Sequence, residues 1–128
     1  MSLTNAFETH TLNYLLTTGS VTRPTTWYIG LFTSDPTDTG TAGTEVSGSA
    51  YARTAVTFSV TADVASNTAG VEFPAATGGN WGTIGWIGIM DAATGGNMII
   101  HSALTVAKAI NDGDVFRIPT GDLDITAS

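Results

Sequence analysis

Few side chains in this sequence are of a type and spacing that could do chemistry. Asp38-Thr39-Gly40 is the tripeptide of aspartic proteases, in which two copies each supply a carboxylate and the pair shares one proton. That reaction needs the aspartate at the end of a buried strand. Here it follows Ser34-Asp35-Pro36-Thr37 in a polar stretch, so a solvated turn with Asp38 capping its own backbone is expected. A Ser or Thr nucleophile needs a nearby base, and only His10 and His101 could serve. Both lie among apolar residues and read as partly buried, hydrogen-bonded histidines. There is no G-x-S-x-G elbow.

Gly82, Gly85 and Gly88 recur every third residue, but no helix start follows them as in a dinucleotide fingerprint, and no lysine as in a phosphate loop. They read as strand glycines that permit a bend or the close approach of an aromatic ring. The pairs Asp112/Asp114 and Asp122/Asp124, with Asn111, could offer oxygen ligands to Ca²⁺, yet they lack the order of a calcium loop. Asn111-Asp112-Gly113 is a turn. No catalytic residue, metal ligand or cofactor is expected.

The elements that would have to hold any such site belong to one small domain, residues 1–128. There is no cysteine, which excludes a disulfide framework. Only 12% of residues are charged, too few for a disordered chain. With net charge −7 and Arg23, Arg53, Lys108 and Arg117 as the only cations, no phosphate-binding face is available, and a nucleic-acid partner is excluded. No secretory signal or membrane span is read in the sequence, and no membrane partner is expected.

Residues 1–19 read as the N-terminal helix, with Ser2, Thr4 or Asn5 as N-cap, Asn5/Glu8 resembling a capping box, and Gly19 as the stop. On a helical wheel Leu3, Phe7, His10 and Tyr14 share one face, while Leu12, Leu15 and Leu16 share another. Either the helix is sunk in its own domain, or its second face packs on another subunit. From residue 25 onward short runs rich in Val, Ile, Thr and aromatics predict strands: Trp27–Thr33, Ala52–Val60, Gly70–Phe73, Gly82–Met90, Met98–Leu104, Asp114–Ile118 and Leu123–Thr126. The fold class is mainly β, an antiparallel sandwich or jelly-roll-like domain of about seven to eight strands. Residues 34–50 form a long polar surface loop, a place where function is often carried. Ala75-Ala76-Thr77-Gly78-Gly79-Asn80 recurs as Ala92-Ala93-Thr94-Gly95-Gly96-Asn97, a repeated turn at both ends of one strand that predicts a meander. Trp81 and Trp86 have opposite parity, so one faces the core and the other is a candidate anchor to a neighbouring subunit.

Ser2-Leu3-Thr4-Asn5-Ala6-Phe7-Glu8, Tyr28-Ile29-Gly30-Leu31, Ser34-Asp35-Pro36-Thr37, Tyr51-Ala52-Arg53, Phe73-Pro74-Ala75-Ala76, Trp81-Gly82-Thr83-Ile84 and Gly88-Ile89 follow one another in an order that resembles the small virion proteins of tailed bacteriophages. These are often labelled tail-fibre or structural proteins. The resemblance runs on to Gly113-Asp114 and Leu123-Asp124-Ile125-Thr126. It implies a non-catalytic component of the virion, made in the host cytoplasm. A compact body without shaft repeats, carrying a spare helical face, favours a capsid decoration or cement protein bridging major capsid subunits, with a trimer the favoured homo-oligomer. The alternative is a tail or tail-fibre component whose partners are tail proteins. The residues expected at such interfaces are Leu3, Phe7, Leu12, Tyr14, Leu16 and Trp86, with Asp35 and Pro36 from the polar loop.

Overall fold

The computed structural model describes residues 2–127. In chain order these form β1 (Ser2–Leu3), α1 (Asn5–Leu16), β2 (Tyr28–Phe32), β3 (Thr54–Ala55), β4 (Phe58–Thr61), β5 (Val64–Asn67), β6 (Val71–Glu72), β7 (Gly82–Met90), β8 (Met98–Ile110), β9 (Arg117–Ile118) and β10 (Asp124–Thr126). The architecture is mainly β, with antiparallel pairing and one N-terminal helix, as the sequence predicts. A five-stranded sheet has the order β1-β8-β7-β2-β3, a three-stranded sheet the order β10-β5-β4, and β6 pairs with β9.

The centre of the larger sheet follows from composition. β2 reads Tyr-Ile-Gly-Leu-Phe, an apolar run suited to a strand covered on both faces. Ile29 and Leu31 join Ile84, Ile87 and Ile89 of β7 in the main core, together with Val71, Phe73, Phe116 and Ile118. Phe58 of β4 and Ile125 of β10 pack against this cluster, which places the smaller sheets on that side of the larger one. Phe32, Met90 and Met98 form a second cluster on the opposite face, with Tyr28 and Trp86 against it. Ile84 and Ile87 are both buried in the core despite their odd spacing, and the β7–β8 register breaks between Ile84 and Trp86. There Leu104 to Ala107 of β8 oppose Gly85 alone, an enlarged, special bulge on β8.

Several expectations are corrected. The run Ala52–Val60 is not one strand: it splits into β3 in the larger sheet and β4 in the three-stranded one. The chain changes sheets at Val56, whose N–H donates to the Trp27 carbonyl, and at Thr57, whose carbonyl accepts from Thr68. Ser2 and Leu3 are not helical but pair with His101 and Ile100. The helix therefore starts at Asn5 and ends at Leu16, short of Gly19. Its N-cap is Thr4, whose hydroxyl makes no cap bond because it donates to the Met98 carbonyl at 2.7 Å. The Asn5 N–H is met instead by the Asp38 carbonyl at 2.8 Å, so the polar loop caps the helix. The second Gly-Gly-Asn turn closes the β7–β8 hairpin, whereas the first leads from β6, in another sheet, into β7. Only the second is a meander turn.

Candidate functional site

Three places gather the polar groups singled out by type, and a fourth gathers exposed apolar ones. The first lies along the outer edge of β2. Residues 44–46 return to that edge, with Val46 N–H donating to the Leu31 carbonyl and Thr33 N–H to the Thr44 carbonyl. Between these residues and β3 the Leu31 N–H donates to the Tyr51 hydroxyl at 3.0 Å, and that hydroxyl donates to Glu45 Oε1 at 2.7 Å. Arg53 holds the same carboxylate through Nε and Nη2, while its Nη1 donates to the carbonyls of Ala92 and Gly95. Burial raises the Glu45 pKa, but the hydrogen bonds from Arg53 and Tyr51 and the Arg53 charge outweigh it and leave the carboxyl below its ordinary value. Burial, reinforced by Glu45, pushes the Tyr51 hydroxyl far above the ordinary phenol range. Every polar group here is engaged, so the cluster ties loop to hairpin and leaves no free base or nucleophile.

The second place brings together Ser2, Asp38 and His101, the three residue types of a hydrolase triad. Both Ser2 Oγ and His101 Nε2 bond to the same oxygen, Asp38 Oδ1, at 3.3 and 2.9 Å. A triad requires the serine on the imidazole nitrogen remote from the carboxylate. The arrangement instead joins β1, the loop and β8. Asp38-Thr39-Gly40 is a turn, as expected, although Asp38 caps the helix rather than itself.

The third is the aspartate region. Asp114 Oδ2 accepts from the Asn111 N–H, and Asn80 Oδ1 accepts from the Asp112 N–H, which is turn chemistry. Asp124 accepts from Ser66 across the β5–β10 pair. Among the described residues no three His, Asp or Glu side chains converge as metal ligands.

The fourth place is the α1 surface. Phe7 is its one buried side chain, stacked edge-on with His10 at 4.8 Å, whereas Leu12, Tyr14, Leu15 and Leu16 are 58%, 73%, 67% and 77% exposed. The helix is thus not sunk in the domain. Open hollows of about 380 and 580 Å³ are lined in part by α1, and one of about 320 Å³, lined by other elements, adjoins both. Of the residues expected at interfaces, Leu12, Tyr14 and Leu16 stand free on α1, and Asp35 is exposed, with its carboxylate turned onto the Thr37 N–H. Leu3 is half-buried in β1, and Trp86 is half-buried against the second cluster while Trp81 lies in the core. Phe7 and Pro36 are enclosed by the chain itself and offer almost no surface: a first-turn aromatic fills the core beneath the helix, and Pro36 is packed under its loop. Arg23, Val60, Ile100 and Ile125, which line these hollows, were not among the residues expected at interfaces. Val60 carried a misleading signal, because its strand parity predicts burial.

The described residues thus form a body of three antiparallel sheets with a helix wet on one side. Residues 2–126 match the family described as Podophage GP4 fiber I protein gp80, and the chain belongs to that family of phage structural proteins. No curated protein matches it. Membership makes it a component of the phage particle, as the resemblance in sequence implies. Among the described residues, no helix is long and apolar enough to cross a membrane.

Proposed function

We propose that this chain is a non-catalytic building block of a phage tail fibre, joined to neighbouring virion proteins through the surface around α1. The observation that carries the reading is the face of exposed leucines on the last two turns of that helix, Leu12, Leu15 and Leu16. Soluble monomers seldom expose contiguous apolar patches of this kind, and burial in an assembly gains roughly 25 cal/mol per Å² of apolar surface. The fibre named by the family favours the tail over the shell.

Capsid decoration is the second reading, favoured by the absence of repeats of the sort that build a fibre shaft. Gold-labelled antibody against this chain, applied to intact particles, separates the two. Label at the tail is expected; label spread over the head would replace the fibre role with the cement role.

A further inference from the structure

We propose that the outer edge of β8, residues 103–109, takes up an extended segment of a neighbouring virion protein as an added strand. The proposal rests on the structural role above and gives it a contact apart from α1. β8 runs for 13 residues, from Met98 to Ile110. β1 covers its outer edge only at Ile100 and His101, next to the bond from the Thr4 N–H to the Ile99 carbonyl. The N–H and C=O groups of successive strand residues point to opposite sides, so Ala103 points outward as Ile99 does. At the far end the Ile110 carbonyl accepts from the Trp81 N–H on the β7 side. Lys108 therefore faces β7, and Ala109 faces outward. Between the two ends the bulge leaves Leu104 to Ala107 with Gly85 alone opposite them. The Ala103 carbonyl takes the neighbouring Ser102 hydroxyl at 3.2 Å. Among the described residues no backbone group outside β7 bonds to residues 103–109.

The unmet groups themselves say what covers this edge, because they are the donors and acceptors of a sheet ladder and fit another strand. Every residue of 103–109 except Leu104 is exposed, and Lys108 is their one charge. Beside the edge lies a hollow of about 330 Å³, with Leu104 and Val106 on one side and Phe116, Ile118 and Pro119 on the other. A side chain from every second position of an added strand points the same way, so one apolar residue can enter it. Lys108 and Arg117 also line the hollow, against Asp122 as its one acid. Arg117 is engaged by Glu72, whereas Lys108 has no ion pair among the described residues. The occupant is therefore an extended segment with an apolar side chain for the hollow and an acidic one for Lys108. A second copy fits poorly, since its own β8 would set an equal bulge opposite this one.

Hydrogen exchange read at single residues, in the free chain and in the intact particle, tests this arrangement. In the free chain the amides of Ala103 and Ala109 should exchange fast, while that of Lys108, turned to β7, exchanges slowly. In the particle Ala103 and Ala109 should slow by at least about tenfold, with Lys108 little changed. Ala109→Pro removes an outward N–H and leaves the β7 ladder intact, a place where an edge strand accepts proline. That variant should keep the circular dichroism spectrum of wild type and, co-expressed with it during assembly, enter particles at least about tenfold less. Unchanged exchange at residues 103–109 in particles that hold the chain, or equal uptake of Ala109→Pro, would overturn the added strand. Self-association of the free chain that slows the same amides would overturn it too, by seating a second copy there. Gold label missing from every particle would instead refute the virion role itself.

Discussion

Arg53 grips Glu45 with two parallel hydrogen bonds, Nε to Oε1 at 2.7 Å and Nη2 to Oε2 at 2.8 Å, across the mouth of the long polar loop. The pair ties the loop segment against β2 and the nearby Tyr51 hydroxyl to the hairpin turn between β7 and β8, far along the chain. A loop of this composition would otherwise be free to move.

Glu45→Ala should cost about 2 kcal/mol, since it strands a mostly buried guanidinium and the Tyr51 hydroxyl. Acid should act in the same direction. The folded-state pKa of Glu45 is lowered, so the stability it contributes is fully present above its ordinary value of 4.5 and is lost as the pH falls through the lower value. Thermal melts of wild type and Glu45→Gln should therefore converge on acidification below about pH 4.5. Parallel pH dependence of the two would rule out this role.

Asn67 is the buried polar residue that orders the segment between β9 and β10. Its Nδ2 donates to the Ala69 and Pro119 carbonyls, and its Oδ1 accepts from the Leu123 N–H. Asn67→Ala should lower stability by about 3 kcal/mol in urea titration, with the m-value little changed.

The helix provides a paired contrast. Phe7→Ala removes a core ring and should cost roughly 3 to 5 kcal/mol. Leu16→Ser, on a side chain that is 77% exposed, should leave the stability of the free protomer within about 0.5 kcal/mol. Equal losses at the two positions would mean that the outer face of α1 is not free.

Asp38→Asn addresses catalysis directly. Neither wild type nor variant should cleave a casein substrate above background, because Asp38 sits in an exposed turn with its Oδ1 engaged by His101 and Ser2 and its carbonyl by the Asn5 N–H. Peptidase activity that the substitution abolished would defeat the structural reading.

The legibility of these features in sequence tracked how local their causes are. β2 and β7 announced themselves because apolar composition alone makes a strand buried on both faces. The split at Val56 was hidden, since both halves keep the same alternation while the chain changes sheets. Ser2 and Leu3 were drawn into the helix by its wheel, although their strand is made by pairing with β8, nearly the whole chain away. Asp38 was visible as a turn residue, but its contacts with His101 and with Ser2 and the Asn5 N–H come from two distant segments. The exposed leucines of α1 were the clearest functional signal, because two apolar faces on one short helix cannot both be covered by a small body. Phe7 and Pro36 look the same in sequence as residues available to a neighbour, and only packing separates them.

The most direct test is a cryo-electron-microscopy reconstruction of the intact particle in which this chain can be traced. The expected result is density for the chain in a tail fibre, with Leu12, Leu15 and Leu16 covered by a neighbouring subunit. A particle that lacks the chain, or that carries it with those leucines facing open solvent, would contradict the assembly role of α1.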